Sequence, residues 1–560
     1  MKERTRIGLL FATAALVYAN ALRDGFTLDD DLYITLNPQV TKFTAGGLFA
    51  LHKYASVFRP VTFGTFAINW ALSGAHPFGF HLVNLALHAA VTCLLYLLLR
   101  TILEPASPQG KNVAFVAALL FAVHPIHTEA VTSIVGRSEL LAAGFLLAAC
   151  LLHLNNREIP ALLCFMLAVM SKESAVLFLP LVIVCDYARD QWKPILRYVW
   201  IAGVTLLYLG VFWKLQGGHL GQRTITGLDN PLAALSARWR ILNALRVAWK
   251  YVALQIYPRT LSCDYSFNQI PVYSDWSHTL PAAAAELAVF AGWIWAVRKH
   301  HTSLVLAGGI YLTGFAVSAN VLTPIGTIMG ERLAYFPSAG FCLLVAAGWV
   351  WLLGYCHRDG QRILAFGLLA TVVVALGVRT AIRNLDWKNN RTLFSSAVIA
   401  SPGSAKSLAD MGDLHRADGQ LELAQAEYQK ALEIYPNYPD VLESAGLLQS
   451  KLGHFQAAGQ MMEKAFYTSA RNNINYDFMA VNLAALYIQT DHMDGALDLL
   501  NREIAEAPEY DRAWSNRAVI HYKLNDANAA RTDAEAALRL DPGNTQAQNV
   551  IRLLNTSSSR

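Results

Sequence analysis

Apolar runs long enough to cross a bilayer recur between residues 7 and 380, and they dictate the class of fold this chain can adopt. A span needs about 20 mostly apolar residues, and its backbone polar groups must be satisfied within the segment, so such runs become helices. The candidate spans are 7–22, 80–100, 112–128, 138–154, 159–171, 173–188, 198–214, 283–298, 304–322, 334–354 and 363–380, about 11 in all. Charged residues make up 15% of the chain, against roughly 25% in soluble domains. The deficit is confined to residues 1–380, whereas 400–560 read as a soluble domain. A net charge of +5 over 560 residues supplies no basic field for nucleic acid.

Basic residues orient the spans. Lys2, Arg4 and Arg6 precede the first, and Arg100, Lys111, Arg157, Arg189, Lys193, Arg197, Arg298, Lys299, Arg358 and Arg362 mark later ends. The positive-inside rule then places the N-terminus in the cytoplasm and, with an odd number of spans, the C-terminus outside. The first run resembles a signal peptide in its basic start, but its small-residue signal before Arg23 is weak, and we read it as a retained anchor. Six of seven cysteines lie in or beside apolar runs, so no disulfide framework is expected.

Two long external loops follow from this topology, 23–79 and about 215–282. The second holds a basic amphipathic stretch, Ala237 to Pro258, whose Trp and Arg residues suit the membrane interface plane better than a crossing. After Arg379 the pattern changes. Gly412 and Gly446, Ala431 and Ala465, Ala484 and Ala518, and Pro508 and Pro542 are all separated by a 34-residue period. That period, with small residues where paired helices touch, is the tetratricopeptide (TPR) signature. Four repeats are predicted at 405–438, 439–472, 477–510 and 511–544, with an insertion at Tyr467–Asn475. The expected domains are 1–385 in the membrane, a linker at 386–404, and an α-solenoid at 405–552.

Polar residues gather on the external side. The first loop carries Asp29-Asp30-Asp31, three adjacent carboxylates that need water, a cation or a basic substrate to remain ionised. Taken alone, such a triplet is equally a solvated acidic loop. Glu129, Glu173 and Glu331 add carboxylates, and Arg59, Arg137, Lys172 and Arg332 add cations. Carboxylates can act as general base on a hydroxyl or hold a divalent cation such as Mg2+ or Mn2+, with Asp29, Asp30 and Asp31 as its ligands. Arg and Lys can bind a lipid-linked phosphate. His81, Asn84 and His88 share one helix face, and His124 and His127 follow the third span; packing or inter-helix hydrogen bonding competes with ligation there.

These residues stand in a pattern that resembles the transmembrane and TPR repeat-containing (TMTC-like) family. The resemblance is carried by Leu28-Asp29-Asp30 with Asn37-Pro38, Phe58-Arg59-Pro60, His81 with Asn84 and His88, and Val123-His124-Pro-Ile-His127-Thr-Glu129. It continues in Gly136-Arg137-Ser-Glu139, Ser171-Lys172-Glu173, Leu261-Ser-Cys-Asp264-Tyr265-Ser and Glu331-Arg332-Leu-Ala-Tyr335-Phe-Pro337-Ser338. It implies an all-α, GT-C-type polytopic fold with a TPR solenoid. It also implies an inverting glycosyltransferase that moves a mannose-like sugar from a polyprenyl-phosphate carrier to Ser/Thr hydroxyls of proteins outside the cytoplasm. Asp29 and Asp30 match the catalytic pair of that family; Arg332, Lys172, Arg137 and Arg59 would bind donor phosphate. Glu129, Glu173, Glu331, His124, His127 and His81 would support the site or the acceptor. The chain departs from the pattern by adding Asp31 after the pair and Tyr33 where a small residue is common. With Ser557–Arg560 carrying no ER retention signal, the expectation is a bacterial inner-membrane protein with periplasmic TPRs, or lumenal ones if eukaryotic. Two other readings remain at this stage: a membrane-anchored TPR scaffold without activity, and a lipid-linked glycan ligase or transporter.

Overall fold

The computed structural model describes residues 1–49, 57–216, 225–470, 473 and 475–557. Parts of both external loops, residues 471, 472 and 474 of the predicted insertion, and residues 558–560 lie outside the described residues. The described secondary structure is helical throughout and divides into two compact units, Met1–Gly403 and Ser404–Arg560.

In the first unit every predicted apolar run contains helix, but the helices differ greatly in length. Pro77–Ala106, Arg137–Leu154, Ile195–Leu215, Trp276–Arg298 and Asp359–Asp386 are long and apolar enough to cross a membrane. Gly110–Val123 and Pro125–Val131 would together make a sixth span, bent by 54°. The break sits at His124-Pro125, where proline has no N–H and pushes the residue before it into extended backbone (His124 φ −74°, ψ 125°). Other runs stop short. Glu158–Val169 and Phe178–Arg189 have 12 residues each, about 18 Å of helix against about 30 Å of hydrocarbon. Thr302–Phe315 and Ser338–Leu353 are also below span length. The described helices therefore support five or six crossings of span length, where the sequence pattern predicts about 11. Hydropathy counts apolar side chains and does not register that the chain leaves the helix early to present Ser171-Lys172-Glu173 and Gly330-Glu331-Arg332.

Burial separates core from rim. Half of the apolar window of Pro77–Ala106 and 72% of that of Arg137–Leu154 are buried inside the protein, against 11% for Ile195–Leu215, 6% for Trp276–Arg298 and 11% for Asp359–Asp386. Leu206, Leu287 and Leu364 are exposed on these rim helices. A helix apolar all round with little protein cover is one that faces lipid. The amphipathic stretch forms one helix, Ala237–Ile256, and is not among the span-length apolar helices. Residues 386–404, expected as linker, contain a further helix, Asn390–Ala400, that belongs to the first unit. Trp387 is buried, and Ser396 accepts a bond from Arg383, so this stretch is tied down by its own side chains.

The second unit contains the four predicted helix pairs: Ala405–Ala417 with Leu421–Ile434, Pro439–Lys451 with Phe455–Thr468, Tyr476–Gln489 with Met493–Glu506, and Asp511–Lys523 with Ala527–Leu540. A last helix, Thr545–Ser557, covers the final pair through Ala547, Val550 and Leu554. The small residues act by proximity. A Cβ on Gly412 would lie 2.6 Å from the Tyr428 ring, whose hydroxyl is held by Asp413 at 2.6 Å. Overpacking of this kind costs about 1–3 kcal/mol. Gly412→Ala is therefore expected to lower the thermal midpoint of the TPR unit in the full chain, with the membrane unit unaffected; an unchanged midpoint would show that the helices separate freely.

Candidate functional site

The acidic triplet is split by its own backbone. Leu28 has φ 53°, a left-handed conformation that costs a non-glycine residue about 1–2 kcal/mol. It is held there by a bond from its N–H to Asn390 Oδ1 at 2.8 Å. The turn sends the three carboxylates to different places. Asp30 is fully buried; its Oδ2 accepts from the Thr27 amide at 2.9 Å and its Oδ1 from the Val135 amide at 3.0 Å. Asp31 is exposed and bonds Thr35 of its own turn. Asp29 is half-buried, and among the described residues no donor hydrogen-bonds its carboxylate.

Burial raises the pKa of Asp30 from 3.8 to about 7, against the two amides, which favour the ionised form. The folded chain then holds this proton more tightly than the unfolded chain does. The group's contribution to stability is largest below about pH 4 and falls as pH rises to about 7. Asn at this position cannot accept from both amides, so Asp30→Asn is expected to be less stable at every pH. Its deficit in melting temperature relative to wild type should shrink between about pH 4 and 7. A deficit that widens over that range would show that the amide bonds outweigh burial.

Asp29 joins a cluster assembled from five separate segments. Arg59 precedes the helix Pro60–Ser73 and pairs with Glu173 through two bonds, Nε–Oε2 at 3.0 Å and Nη2–Oε1 at 2.6 Å. Lys172 pairs with Glu139, on the first turn of Arg137–Leu154. Burial lowers the Lys172 pKa, and Glu139 opposes that shift. Arg332, on the turn Glu331–Ala334, pairs with Glu129, which also accepts the Arg332 amide at 2.9 Å. Glu129 is 1% exposed while Arg332 is 35% exposed, so this cation is the one that faces outward. Tyr33 lies within electrostatic reach of Asp29, Arg59, Glu173 and Arg332, and Arg332 within reach of Asp29 and Glu139. Each cation thus has its own carboxylate, and Asp29 is the acid left over. The site can hold an anion at Arg332 while a carboxylate beside it accepts a proton.

The remaining candidates lie elsewhere. Arg137 is fully buried and donates to Asn84 Oδ1 at 2.8 Å, Asn69 Oδ1 at 2.6 Å and the Phe80 carbonyl at 2.9 Å, with Phe66 stacked on its guanidinium. Asn84 in turn donates to the carbonyls of Val131, Ser133 and Ile134. Gly136 permits this packing, because a Cβ there would lie 2.3 Å from the Ala130 carbonyl. Arg137 is thus a clamp between helices and does not reach the open cluster. Glu331 turns the other way from Arg332. It is buried and accepts from the Ser262 amide and the Tyr265 hydroxyl, both at 2.6 Å, and burial raises its pKa to about 7.

The histidines form a packed seam. His124 accepts the Ile126 amide at Nδ1 and meets the Gln255 carbonyl with Nε2 at 2.9 Å, which sets its tautomer. His127 contacts Ser338 at 2.6 Å, and His88 joins Tyr335 at 2.8 Å. His81 is buried beside the backbone of Asp24 and Gly25. These contacts tie the bent span to the 331–338 turn. Among the described residues no three His, Cys, Asp or Glu side chains converge as metal ligands. The donor set at Asp29, Asp30 and Asp31 does not fit a resident cation, because Asp30 is committed to backbone amides. Sequence reasoning missed Tyr33 and Glu139 as members of the cluster. Glu139 lies two residues after Arg137 at the start of a span, and that position was the available signal.

Known proteins resemble the chain in both units. The TPR repeat family matches residues 412–453, and the tetratricopeptide repeat family matches 511–544. A nematode protein of Caenorhabditis elegans, protein O-mannosyl-transferase F38B6.6, is 30% identical over 448 residues, covering 77% of this chain and 63% of that protein. Mouse protein O-mannosyl-transferase TMTC3 is 26% identical over 597 residues, covering 96% of this chain and 64% of the relative. The chain thus spans a little under two thirds of the length of these curated relatives. Among solved structures, the TPR protein YrrB aligns with a TM-score of 0.26 at 20% identity, over 30% of this chain and 84% of its own. The homologues of this chain are TMTC-family proteins, the family its motifs resemble.

Proposed function

We propose that this chain is a membrane glycosyltransferase that moves a mannose-like sugar from a polyprenyl-phosphate carrier to a Ser or Thr hydroxyl of a protein. The observation that carries this reading is the cluster itself: an acid with no hydrogen-bond donor among the described residues, Asp29, beside an outward-facing Arg332 backed by the buried Glu129. The homologues' names, protein O-mannosyl-transferase, support the same chemistry.

In this reading Asp29 takes the proton of the acceptor hydroxyl as its oxygen attacks the anomeric carbon, and the sugar–phosphate bond breaks with inversion. Arg332 stabilises the negative charge that develops on the departing phosphate, with Arg59 and Lys172 raising the local potential. Glu129 and Glu173 hold two of those cations in place. The reaction takes place on the extracytoplasmic side, as the distribution of basic residues supports, with the TPR unit recruiting the acceptor. The setting is a bacterial inner membrane, or the ER membrane in a eukaryote.

Thermal shift with a phosphorylated carrier tests the phosphate contact. Polyprenyl-phosphate mannose should raise the melting temperature of wild type, and the neutral polyprenol should not. The double variant Arg332→Gln/Glu129→Gln, which removes the pair together and leaves no buried charge unpaired, should lose that response. Equal stabilisation by polyprenol would remove phosphate recognition from the account.

A further inference from the structure

The helix Ala237–Ile256 carries no acidic residue, and four cations punctuate it. Arg240 donates to the Leu322 carbonyl at 3.3 Å. The other three, Arg238, Arg246 and Lys250, fall with Trp239 and Trp249 within about one third of the helix circumference at 100° per residue. Arg246 also donates to the Pro271 carbonyl at 3.0 Å and to Asn243 Oδ1 at 3.1 Å. None of the three is ion-paired among the described residues. Asp275, the acid next to Trp276, is engaged by Ser277 and the His278 amide at its own helix start.

The neighbouring span sets the depth of this face. Trp239 packs on Trp276, the first residue of the span Trp276–Arg298, with ring centroids 5.2 Å apart. Trp249 donates to the Ala282 carbonyl at 3.2 Å, six residues into the same helix and so about 9 Å along it. Arg238 lies over both Trp239 and Trp276, and Arg246 lies over Tyr273. Cations interleaved with tryptophans at the entry of a span lie where lipid headgroups meet acyl chains. The opposite face is fixed by the protein: Asn243, Val247, Tyr251 and Gln255 are buried, and Tyr251 bonds Gly330 beside the candidate site.

We propose that Arg238, Arg246 and Lys250 form a docking surface for the headgroups of anionic phospholipids of the bilayer. The helix would thereby be anchored in the headgroup layer by charge as well as by its tryptophans. The assignment rests on charge complementarity and on the membrane depth set by Trp276 and Ala282, and is independent of the sugar-transfer reading.

Native mass spectrometry of the full chain in detergent, titrated with phosphatidylglycerol or phosphatidylcholine of equal chain length, tests it. Wild type should retain phosphatidylglycerol in preference to phosphatidylcholine. In Arg238→Gln/Lys250→Gln, whose two residues donate no hydrogen bond among the described residues, the preference should fall by about ten-fold or more, since each cation near a headgroup contributes about five-fold. A wild type that retains both lipids equally would overturn the proposal, and so would an undiminished preference in the double variant. Polyprenyl phosphate added alone supplies the discriminating arm. Its selective retention here, without phosphatidylglycerol retention, would make this face a carrier site and overturn the assignment to bulk phospholipid.

Discussion

Asp29→Asn is expected to reduce sugar transfer by about 10²–10⁴-fold while leaving the melting temperature close to that of wild type. The asymmetry follows from the turn at Leu28. Asp29 bonds no donor among the described residues and is half-buried beside Arg332, so neutralising it removes a proton acceptor without orphaning a buried amide. Asp30→Asn is the opposite case. It disturbs bonds to Thr27 and Val135 and should act first on stability, with any loss of turnover following from loss of fold. Turnover per folded molecule in nanodiscs, set beside the melting curve of each variant, separates the two. Full activity in Asp29→Asn would move the proton acceptor to another residue.

Arg137→Gln should be the most damaging single substitution for folding. The guanidinium is fully buried and donates to Asn84, Asn69 and the Phe80 carbonyl, joining Pro60–Ser73, Pro77–Ala106 and the start of Arg137–Leu154. Gln cannot reach all of these acceptors, which would then be left buried and unpaired. Each buried acceptor left without a donor costs about 1–3 kcal/mol. Arg137→Lys should rescue little, since an ammonium cannot reproduce the planar fork. Yield of monodisperse protein and its melting temperature give the check. A well-folded Arg137→Gln protein with weakened donor binding would instead return Arg137 to the phosphate-binding group.

The TPR unit was legible because its signal is a period. Gly412 and Gly446 are 34 apart, and the tolerance for a Cβ against Tyr428 or Met462 is set by local helix pairing. The membrane helices were legible in place but not in length. Apolar side chains mark 159–171 and 173–188, yet the backbone departs from α-helix between Val169 and Phe178, with a 3-10 turn at Glu173–Leu177, and there Lys172 and Glu173 reach Glu139 and Arg59. Most members of the cluster could be named from their residue types. Their partition could not. Asp29, Asp30 and Asp31 are chemically equal in the sequence, and what separates them is an amide 105 positions away at Val135 and a left-handed Leu28. Likewise Arg137 and Arg332 both read as cations near span ends. Only the packing of Asn69, Asn84 and Phe66 around the first distinguishes a clamp from an anion site.

The central claim is that Asp29 and its neighbouring ion pairs form a sugar-transfer site. The most direct measurement supplies the purified chain in nanodiscs with radiolabelled polyprenyl-phosphate mannose and a protein acceptor, following released polyprenyl phosphate and labelled protein together. The account predicts equal release and labelling by wild type and neither by Asp29→Asn. No turnover with any sugar carrier, alongside firm capture of protein partners by the TPR unit, would contradict it and leave a membrane-anchored scaffold.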